Sequence, residues 1–455
     1  MKYLRKALGN IFRLLPLQAS EGDMAGVTDR VQRAVPANFS AIALNGLCFP
    51  TAGRILGAGL LLTWFVSDLT PSAFWVGLII PIQYGLALMA QPVVAQYLTT
   101  KSRRAPYYTA QSFLRCLLWC ALGFAAWTLG SGHAMLLLII FFAVVIADAT
   151  AAGIGNIAFN DTLARVIPQG LRGRARSWRG IFGSLAAGLA GLWIRKHFSE
   201  NSGVTAFGLL FAVAGMLYAL GGTIFILIDE PPVAHASTKK LTPRELLRKM
   251  RAMVEREPFR RFVIVQSLLV PIVQALPFFT LFARRSFNIE VEALGLLIIV
   301  DAGTPLIANF IWGKLADACG NRWVIICASL CGLLAPACSF WLYAWPSGEL
   351  SPALMLVLLA MIVFAIGIAS VGIDLATKNY VLDLAPEDTQ RPMYIGVNDT
   401  LIGLPTMLMA GAGVIIDALG FLPAFVGLVI LTMIGALLAA RLPPLRLKAG
   451  IENVG

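Results

Sequence analysis

The chain has 455 residues, of which 58% are hydrophobic and only 13% are charged, and its mean hydropathy is +0.78. Soluble globular domains carry roughly 25% charged residues, so this composition excludes a large soluble domain and indicates a protein solvated mainly by lipid. The net charge of +12 does not indicate nucleic-acid binding, because the Lys and Arg residues lie in connections between apolar runs rather than on a basic face.

The first 37 residues form a basic amino-terminal segment that carries Lys2, Arg5, Lys6 and Arg13. They lack a compact apolar run followed by a small-residue cleavage site, so we expect no cleaved signal peptide and a cytoplasmic amino terminus. Residues 3–17 suit either a basic amphipathic helix on the membrane surface or a disordered tail, and the sequence leaves both open.

Apolar runs long enough to cross a hydrocarbon core of ~30 Å then follow one another along the chain. They predict an all-α polytopic membrane protein with twelve transmembrane helices in two six-helix, pseudo-symmetric halves, 38–228 and 260–440, joined by a cytoplasmic linker at 229–259 and followed by a tail at 441–455. The twelve predicted spans are 38–66, 72–98, 107–130, 134–159, 177–196, 204–228, 260–284, 292–314, 322–345, 351–376, 394–416 and 421–440.

Basic residues are concentrated in the connections that follow the even-numbered spans. The odd-numbered connections hold little beyond Arg195, Lys196, Arg284 and Arg285. The positive-inside rule therefore predicts that both termini lie in the cytoplasm. The sequence shows no organellar targeting features, which favours a bacterial inner membrane as the location. The basic connections hold Lys101, Arg103, Arg104, Arg165, Arg172, Arg174, Arg176 and the central linker.

The linker begins with Asp229, Glu230 and two prolines, and a helical pattern follows over residues 242–257. Thr242 with Glu245 three residues later is typical of a capping box, and apolar residues recur on one face of the predicted helix. We expect a basic amphipathic helix at the membrane surface.

The two halves share a spacing of 218 residues, which separates Ala95 from Gly313 and Pro168 from Pro386. The connection after the eighth span contains Gly313, Asp317, Gly320 and Arg322, whereas the equivalent connection after the second span keeps only Arg103 and Arg104 of a similar pattern. This spacing indicates two parallel repeats.

The chain resembles the major facilitator superfamily of transporters, through its twelve spans, its two halves and a G-x-x-x-D-x-x-G-x-R signature at Gly313, Asp317, Gly320 and Arg322. The resemblance implies that Asp317 closes the cytoplasmic side by packing on the amino end of the fifth helix near Arg176, where a helix dipole and a guanidinium group stabilise a carboxylate. Alternatively, the glycines only permit a tight turn and Asp317 caps a helix locally.

Three ionisable residues lie inside predicted spans, at Arg54, Asp148 and Asp301. Each is costly in lipid, and counting ~1.5 Å per residue places all three near mid-depth. One interpretation is that Asp148 or Asp301 carries a proton while Arg54 attracts an anionic group of the cargo. The other is an inert Arg54–Asp148 ion pair. We expect Arg115, nearer the inner end of its span, to extend toward the headgroups.

Neutral polar side chains inside the spans could line a cavity for a polar or amphipathic solute. They are Asn45, Gln83, Asn156, Gln266 and Gln274.

Catalysis finds no support, because the three histidines lie in connections or at span ends and no phosphate-binding loop or metal-ligand spacing occurs. We expect no enzyme activity, no cofactor and no metal site. The expected function is proton-coupled secondary transport of a small molecule by a monomer in the lipid bilayer. The alternatives are a non-transporting membrane scaffold on the same fold and a carrier for a metal chelate.

Overall fold

The computed structural model describes residues 29–88, 94, 97–98, 101–201, 203–232, 243–287, 289–344, 351–385 and 391–444. Within these residues the secondary structure is helical, and none of them forms a β-strand. The predictions for residues 3–17, for Thr242 and for Ala95 lie outside the described residues.

The helices of the first half are numbered by the predicted spans with which they coincide. Long runs of Leu, Ile, Val, Phe and Ala without charge allow continuous helices to form, and a backbone in lipid must satisfy its own hydrogen bonds. Their bounds are Asp29–Ile55 continuing through Ala58–Leu62 and Thr63–Leu69 (span 1), Ala73–Ile80 continuing through Pro81–Gly85 (span 2), Ala105–Leu129 (span 3), Ala134–Val166 (span 4), Gln169–Glu200 (span 5) and Val204–Ile226 (span 6).

The second half repeats this arrangement after a linker helix at Pro243–Val254. Its bounds are Glu257–Val273 and Leu276–Phe287 (span 7), Ala293–Cys319 (span 8), Asn321–Gly332 and Leu334–Ala344 (span 9), Pro352–Asp383 (span 10), Arg391–Leu408 and Ala410–Leu419 (span 11) and Phe421–Ala439 (span 12). The linker helix lies within the predicted helical segment 242–257, and its place at the membrane surface stays a prediction.

Each predicted apolar run coincides at least partly with helix, which confirms an all-α polytopic membrane fold. Among the described residues, nine helical stretches are long and apolar enough to cross a membrane, and one of them, Ala105–Val166, holds spans 3 and 4 together. Span 5, which is rich in glycine and arginine, is not among them. The count of twelve crossings therefore stays a prediction.

Spans 1 and 7 are interrupted at equivalent positions. Span 1 breaks at Leu56 and Gly57, and span 7 breaks at Gln274 and Ala275, which lie 218 residues later in the chain. The two breaks face each other, because the Thr280 hydroxyl after the second break donates to the Gly59 carbonyl after the first at 2.6 Å. Interrupted helices at mid-depth expose backbone polar groups and are typical of binding sites in transporters.

Close helix packing joins the two halves at one end of the bundle, the end that holds the connection between spans 1 and 2. We call it the outer end, since the charge distribution predicts that it faces away from the cytoplasm. Gly77 meets Gly413 and Gly191 meets Gly295 with no room for side chains between the helices. Asp417 accepts hydrogen bonds from Ser72 Oγ at 2.6 Å and from the Ala73 amide at 2.7 Å.

Candidate functional site

Arg54 and Asp301 form an ion pair that joins the two halves near mid-depth. Arg54 Nη1 lies 2.6 Å from Asp301 Oδ2 and donates also to the Asp301 backbone carbonyl at 2.6 Å. That carbonyl would normally accept from the amide four residues later, but Pro305 has no amide hydrogen. The proline thus leaves an acceptor free within span 8, and Arg54 satisfies it.

The pair is only partly shielded, since the side chains of Arg54 and Asp301 are 24% and 27% exposed. Within the described part of the chain, Nε and Nη2 of Arg54 have no hydrogen-bond partner, and neither does Oδ1 of Asp301. The site therefore offers a free guanidinium edge and a free carboxylate oxygen at the interface between the halves.

Arg115 and Asp148 form a second pair, which corrects two expectations. Arg115 Nε and Nη2 donate to the two oxygens of Asp148 at 2.7 and 2.9 Å, and Arg115 is buried rather than extended toward the headgroups. The proposed Arg54–Asp148 pair is wrong, because each residue has a different partner. Depth along a helix can be counted from the sequence, but the direction in which a side chain points cannot.

Neighbouring aromatic groups complete the surroundings of this second pair. Trp119 Nε1 donates to Asp148 Oδ1 at 2.7 Å, and Arg115 Nη2 donates to the Tyr218 hydroxyl at 2.7 Å. The Arg115 guanidinium carbon lies 3.8 Å from the centroid of the Tyr218 ring. Asp148 is 1% exposed and accepts hydrogen bonds from Arg115 and Trp119, so its charge is balanced by Arg115 inside the first half. Such a pair stabilises the bundle and is closed to solutes.

Tyr84 in span 2 lies between the two ion pairs and interacts electrostatically with the charges of both. Its side chain is 48% exposed although it lies among four charged groups. Tyr84 thus belongs to the same group of polar side chains as Arg54 and Asp301.

The predicted neutral polar residues fall into different surroundings. Asn45 is fully buried, donates to the Gly221 carbonyl and accepts from Tyr108 and Arg179, so its side chain packs spans together. Gln83 donates to the Leu56 carbonyl at 3.4 Å, beside the break in span 1, and Gln274 donates to Thr406 at 3.4 Å, at the break in span 7.

The side-chain oxygens of Gln83, Gln266 and Gln274 are buried without a hydrogen-bond partner among the described residues. Asn156 is exposed and accepts from Asn160, at the inner end of span 4. Gln83 and Gln274 thus lie next to the two helix breaks. Asn156 lies apart from them, near the inner end of span 4.

The signature residues of the second half end span 8. Gly320 has φ +87°, a left-handed conformation that favours glycine, and it closes the helix. Arg322 donates to the Leu442 carbonyl, and Gly313 is partly buried. Asp317 is exposed and makes no hydrogen bond or ion pair with any described residue, while Arg176 donates to Asn160. The structure therefore does not bring Asp317 to Arg176.

The degraded signature of the first half lies at the start of span 3, where Glu230 caps the helix. The sequence analysis did not predict this cap. Arg103 is exposed, whereas Arg104 is buried and its backbone amide donates to Glu230 at 2.7 Å, as does the Ala105 amide at 2.8 Å. Burial, and then the nearby charge of Arg165, lower the pKa of Arg104. An acid directly after an apolar run and before two prolines was the available signal for Glu230.

Two further acids were missed. Asp399 lies inside span 11, hydrogen-bonded by Asn398 and close to Lys378. Asp417 lies near the end of the same span and accepts hydrogen bonds from the Ala73 and Phe74 amides at the amino end of span 2. Both lie inside an apolar run, which marks a costly charge in the sequence. No group of three or more His, Cys, Asp or Glu residues able to hold a metal occurs in the part of the chain that the structure describes.

Comparisons with known proteins agree with this architecture. Residues 275–452 match the family model of the Major Facilitator Superfamily. The uncharacterized protein Rv2209 of Mycobacterium tuberculosis (strain H37Rv) is 24% identical to this chain over 436 residues, covering 90% of this chain and 78% of that protein.

Solved transporters share the fold at low sequence identity. A D-xylose–proton symporter matches with a TM-score of 0.66 and 12% identity, covering 90% of this chain and 99% of that one. The nucleoside transporter NupG matches with a TM-score of 0.61 and 13% identity, covering 89% and 98%. A bacterial homologue of the iron transporter ferroportin, in an inward-facing state, matches with a TM-score of 0.61 and 13% identity, covering 89% and 98%. Residues 275–452 thus match the Major Facilitator Superfamily, the chain shares the fold of these solved transporters, and its long apolar helices are those of a multi-pass membrane protein.

Proposed function

We propose that this protein is a proton-coupled secondary transporter that moves a small organic solute by alternating access, with its central site at Arg54 and Asp301. The observation that carries the proposal is the Arg54–Asp301 ion pair, which joins the two halves and is about a quarter exposed. A charge in the membrane interior is costly and usually serves an ion or solute pathway.

The second ion pair provides the contrast. A pair that only stabilises the bundle is expected to be shielded and to use the carboxylate-binding edge of its arginine, as Arg115 and Asp148 do. Arg54 and Asp301 instead keep free polar atoms and lie on different halves, so any movement that separates the halves there must break their bond. This makes Asp301, rather than Asp148, the acid that we propose to carry the proton.

The outer end supports alternating access. Arg284 pairs with Asp68 across the halves, and Asp417 binds the amino end of span 2, so the outer end is held closed. At the inner end Asp317 is exposed. We propose that the Asp317–Arg176 latch forms when the outer end opens, because only one end needs to be closed in each state.

Reconstitution in proteoliposomes tests the function. An imposed pH gradient should drive uptake or release of a solute from a pool of small organic acids, sugars and amphiphiles, with accompanying proton flux. Asp301→Asn should abolish gradient-driven flux while leaving the protein folded. The matched control is Asp374→Asn, which removes an exposed carboxylate from an i,i+4 pair with Lys378 and should keep flux. If folded wild-type protein moves no solute in any pool, the proposal fails and a scaffold role gains support.

The location is part of the same proposal. The distribution of basic connections supports a bacterial inner membrane with both termini on the cytoplasmic side. Reporters fused to the carboxyl terminus, one active only in the cytoplasm and one only in the periplasm, test this orientation. Activity of the periplasmic reporter alone would reverse the assignment of the two ends.

A further inference from the structure

We propose that the free edge of Arg54 binds the carboxylate of a small organic monoanion, and that one proton accompanies this cargo on Asp301. The inference rests on the proposed function, because it names the cargo class of the same central site. It follows from which atoms of the charged residues are already bonded, from their exposure and from a charge count.

The first step is the bonding of the two mid-depth arginines. A guanidinium group recognises a carboxylate best through two parallel N–H donors on one edge. In Arg115 that edge, Nε and Nη2, is already filled by Asp148. In Arg54 both bonds to Asp301 come from Nη1, so Nε and Nη2 remain without a partner among the described residues.

The second step is access. The Arg54 side chain is 24% exposed, and Tyr84, which interacts with Arg54 and Asp301, is 48% exposed. Gly53, next to Arg54, is also exposed and presents no side chain. A small carboxylate can therefore approach the free edge without displacing Asp301, and Tyr84 is an exposed aromatic side chain within electrostatic range of both charges.

The third step is the charge count. Arg54 and Asp301 together are neutral, so an added carboxylate leaves one excess negative charge at mid-depth. Two carboxylates that share a site raise each other's affinity for a proton, and Asp301 still has Oδ1 free. Protonation of Asp301 restores neutrality, so one proton is taken up with each anion. A zwitterion would already be neutral and would need no proton.

The helices that pack around Asp301 bring few other ionisable groups toward it. Span 1 contributes Arg54, and span 2 contributes Tyr84. Span 5 packs on span 8 at Gly295 and contributes Arg195, which lies nearer the outer end. Span 10 packs on span 8 with Gly367 against Thr304, where neither residue is ionisable.

Direct binding tests the inference on the full-length protein in lipid nanodiscs. Calorimetry at pH 6, 7 and 8 would compare the monoanions benzoate, lactate and gluconate with the neutral benzamide and lactamide and the zwitterion alanine. We expect binding of at least one monoanion and of none of the others. Because the proton is bound together with the anion, affinity should fall about tenfold per pH unit wherever free Asp301 is ionised.

Variants distinguish the contribution of Arg54 to anion binding from the contribution of Asp301 to proton uptake. Arg54→Gln should weaken anion binding at least tenfold. Asp301→Asn should still bind the anion, but without pH dependence and without proton uptake from a weakly buffered solution. Asp374→Asn is the control and should match the wild type. Size-exclusion profiles and melting temperatures establish that each variant is folded.

The outcomes distinguish this inference from the proposed function. Two results would overturn the inference that the cargo is a monoanion while leaving the transport proposal intact. One is gradient-driven flux of a neutral or zwitterionic cargo, and the other is binding of alanine without proton uptake. Failure of every monoanion to bind folded protein would also overturn it. Monoanion binding with proton uptake but no flux in proteoliposomes would support the site and remove the transport proposal.

Discussion

Arg54 and Arg115 show how two arginines within predicted spans acquire different surroundings. Both are predicted within spans, yet one joins the two halves through a single nitrogen and the other is enclosed by Asp148, Trp119 and Tyr218. The sequence could locate these charges, since hydropathy reveals an ionisable residue in an apolar run. It could not assign the partners, because Arg54, Asp148 and Asp301 lie at one depth and pairing depends on how each helix is rotated.

The enclosed pair gives a prediction for stability. Asp148→Asn leaves the buried Arg115 guanidinium without a counter-charge, and breaking a buried pair on one side costs about 3–5 kcal/mol. We expect the free energy of unfolding in mixed micelles to fall by that amount. The double variant Arg115→Met with Asp148→Leu should lose less than Asp148→Asn alone, because no charge stays unpaired. Equal losses in both would mean that Arg115 finds another partner.

Among the helices, the breaks and caps were harder to foresee than the spans. Continuous apolar runs predict where helices lie, because a backbone in lipid must form its own hydrogen bonds. The break at Leu56 and Gly57 carries a weaker signal, from Pro50 and Gly53 a turn or more earlier. The cap at the start of span 3 comes from Glu230, more than a hundred residues away in the chain, so the sequence marks the acid but not its partner.

That cap gives a prediction for span 3. The Glu230 carboxylate accepts from the amides of Arg104 and Ala105 and lies 3.5 Å from Arg165. Glu230→Gln should lower the free energy of unfolding by about 1–2 kcal/mol, because a charge at a helix amino end and its charge-assisted hydrogen bonds are lost. Thermal unfolding in detergent measures this change. Glu255→Gln, which alters an exposed i,i+4 pair with Arg251, is the matched control and should change stability by less than about 0.5 kcal/mol.

The arrangement of the two halves relative to each other is the feature that the sequence predicts least. The 218-residue repeat indicates two equivalent bundles, but it does not specify which end is closed. In the structure the outer end is held by contacts between residues that no motif marks, such as Asp417 with the amino end of span 2. The predicted contact between Asp317 and Arg176 is not formed in the structure, which agrees with the proposed alternation in which one end is closed at a time.

The outer contacts therefore predict a shift between states. Asp417 accepts from Ser72, Ala73 and Phe74, and Asp417→Asn would replace a carboxylate at a helix amino end by a neutral amide that can accept with only one oxygen. We expect the outer end to open more often, which exposes Thr280, now 4% exposed and bonded to Gly59. With Thr280→Cys as the probe and Cys319 replaced by serine, labelling by an impermeant maleimide applied from the outer side should become several times faster in Asp417→Asn. Asp374→Asn should leave the rate unchanged, and an unchanged rate in Asp417→Asn would show that this contact does not hold the outer end closed.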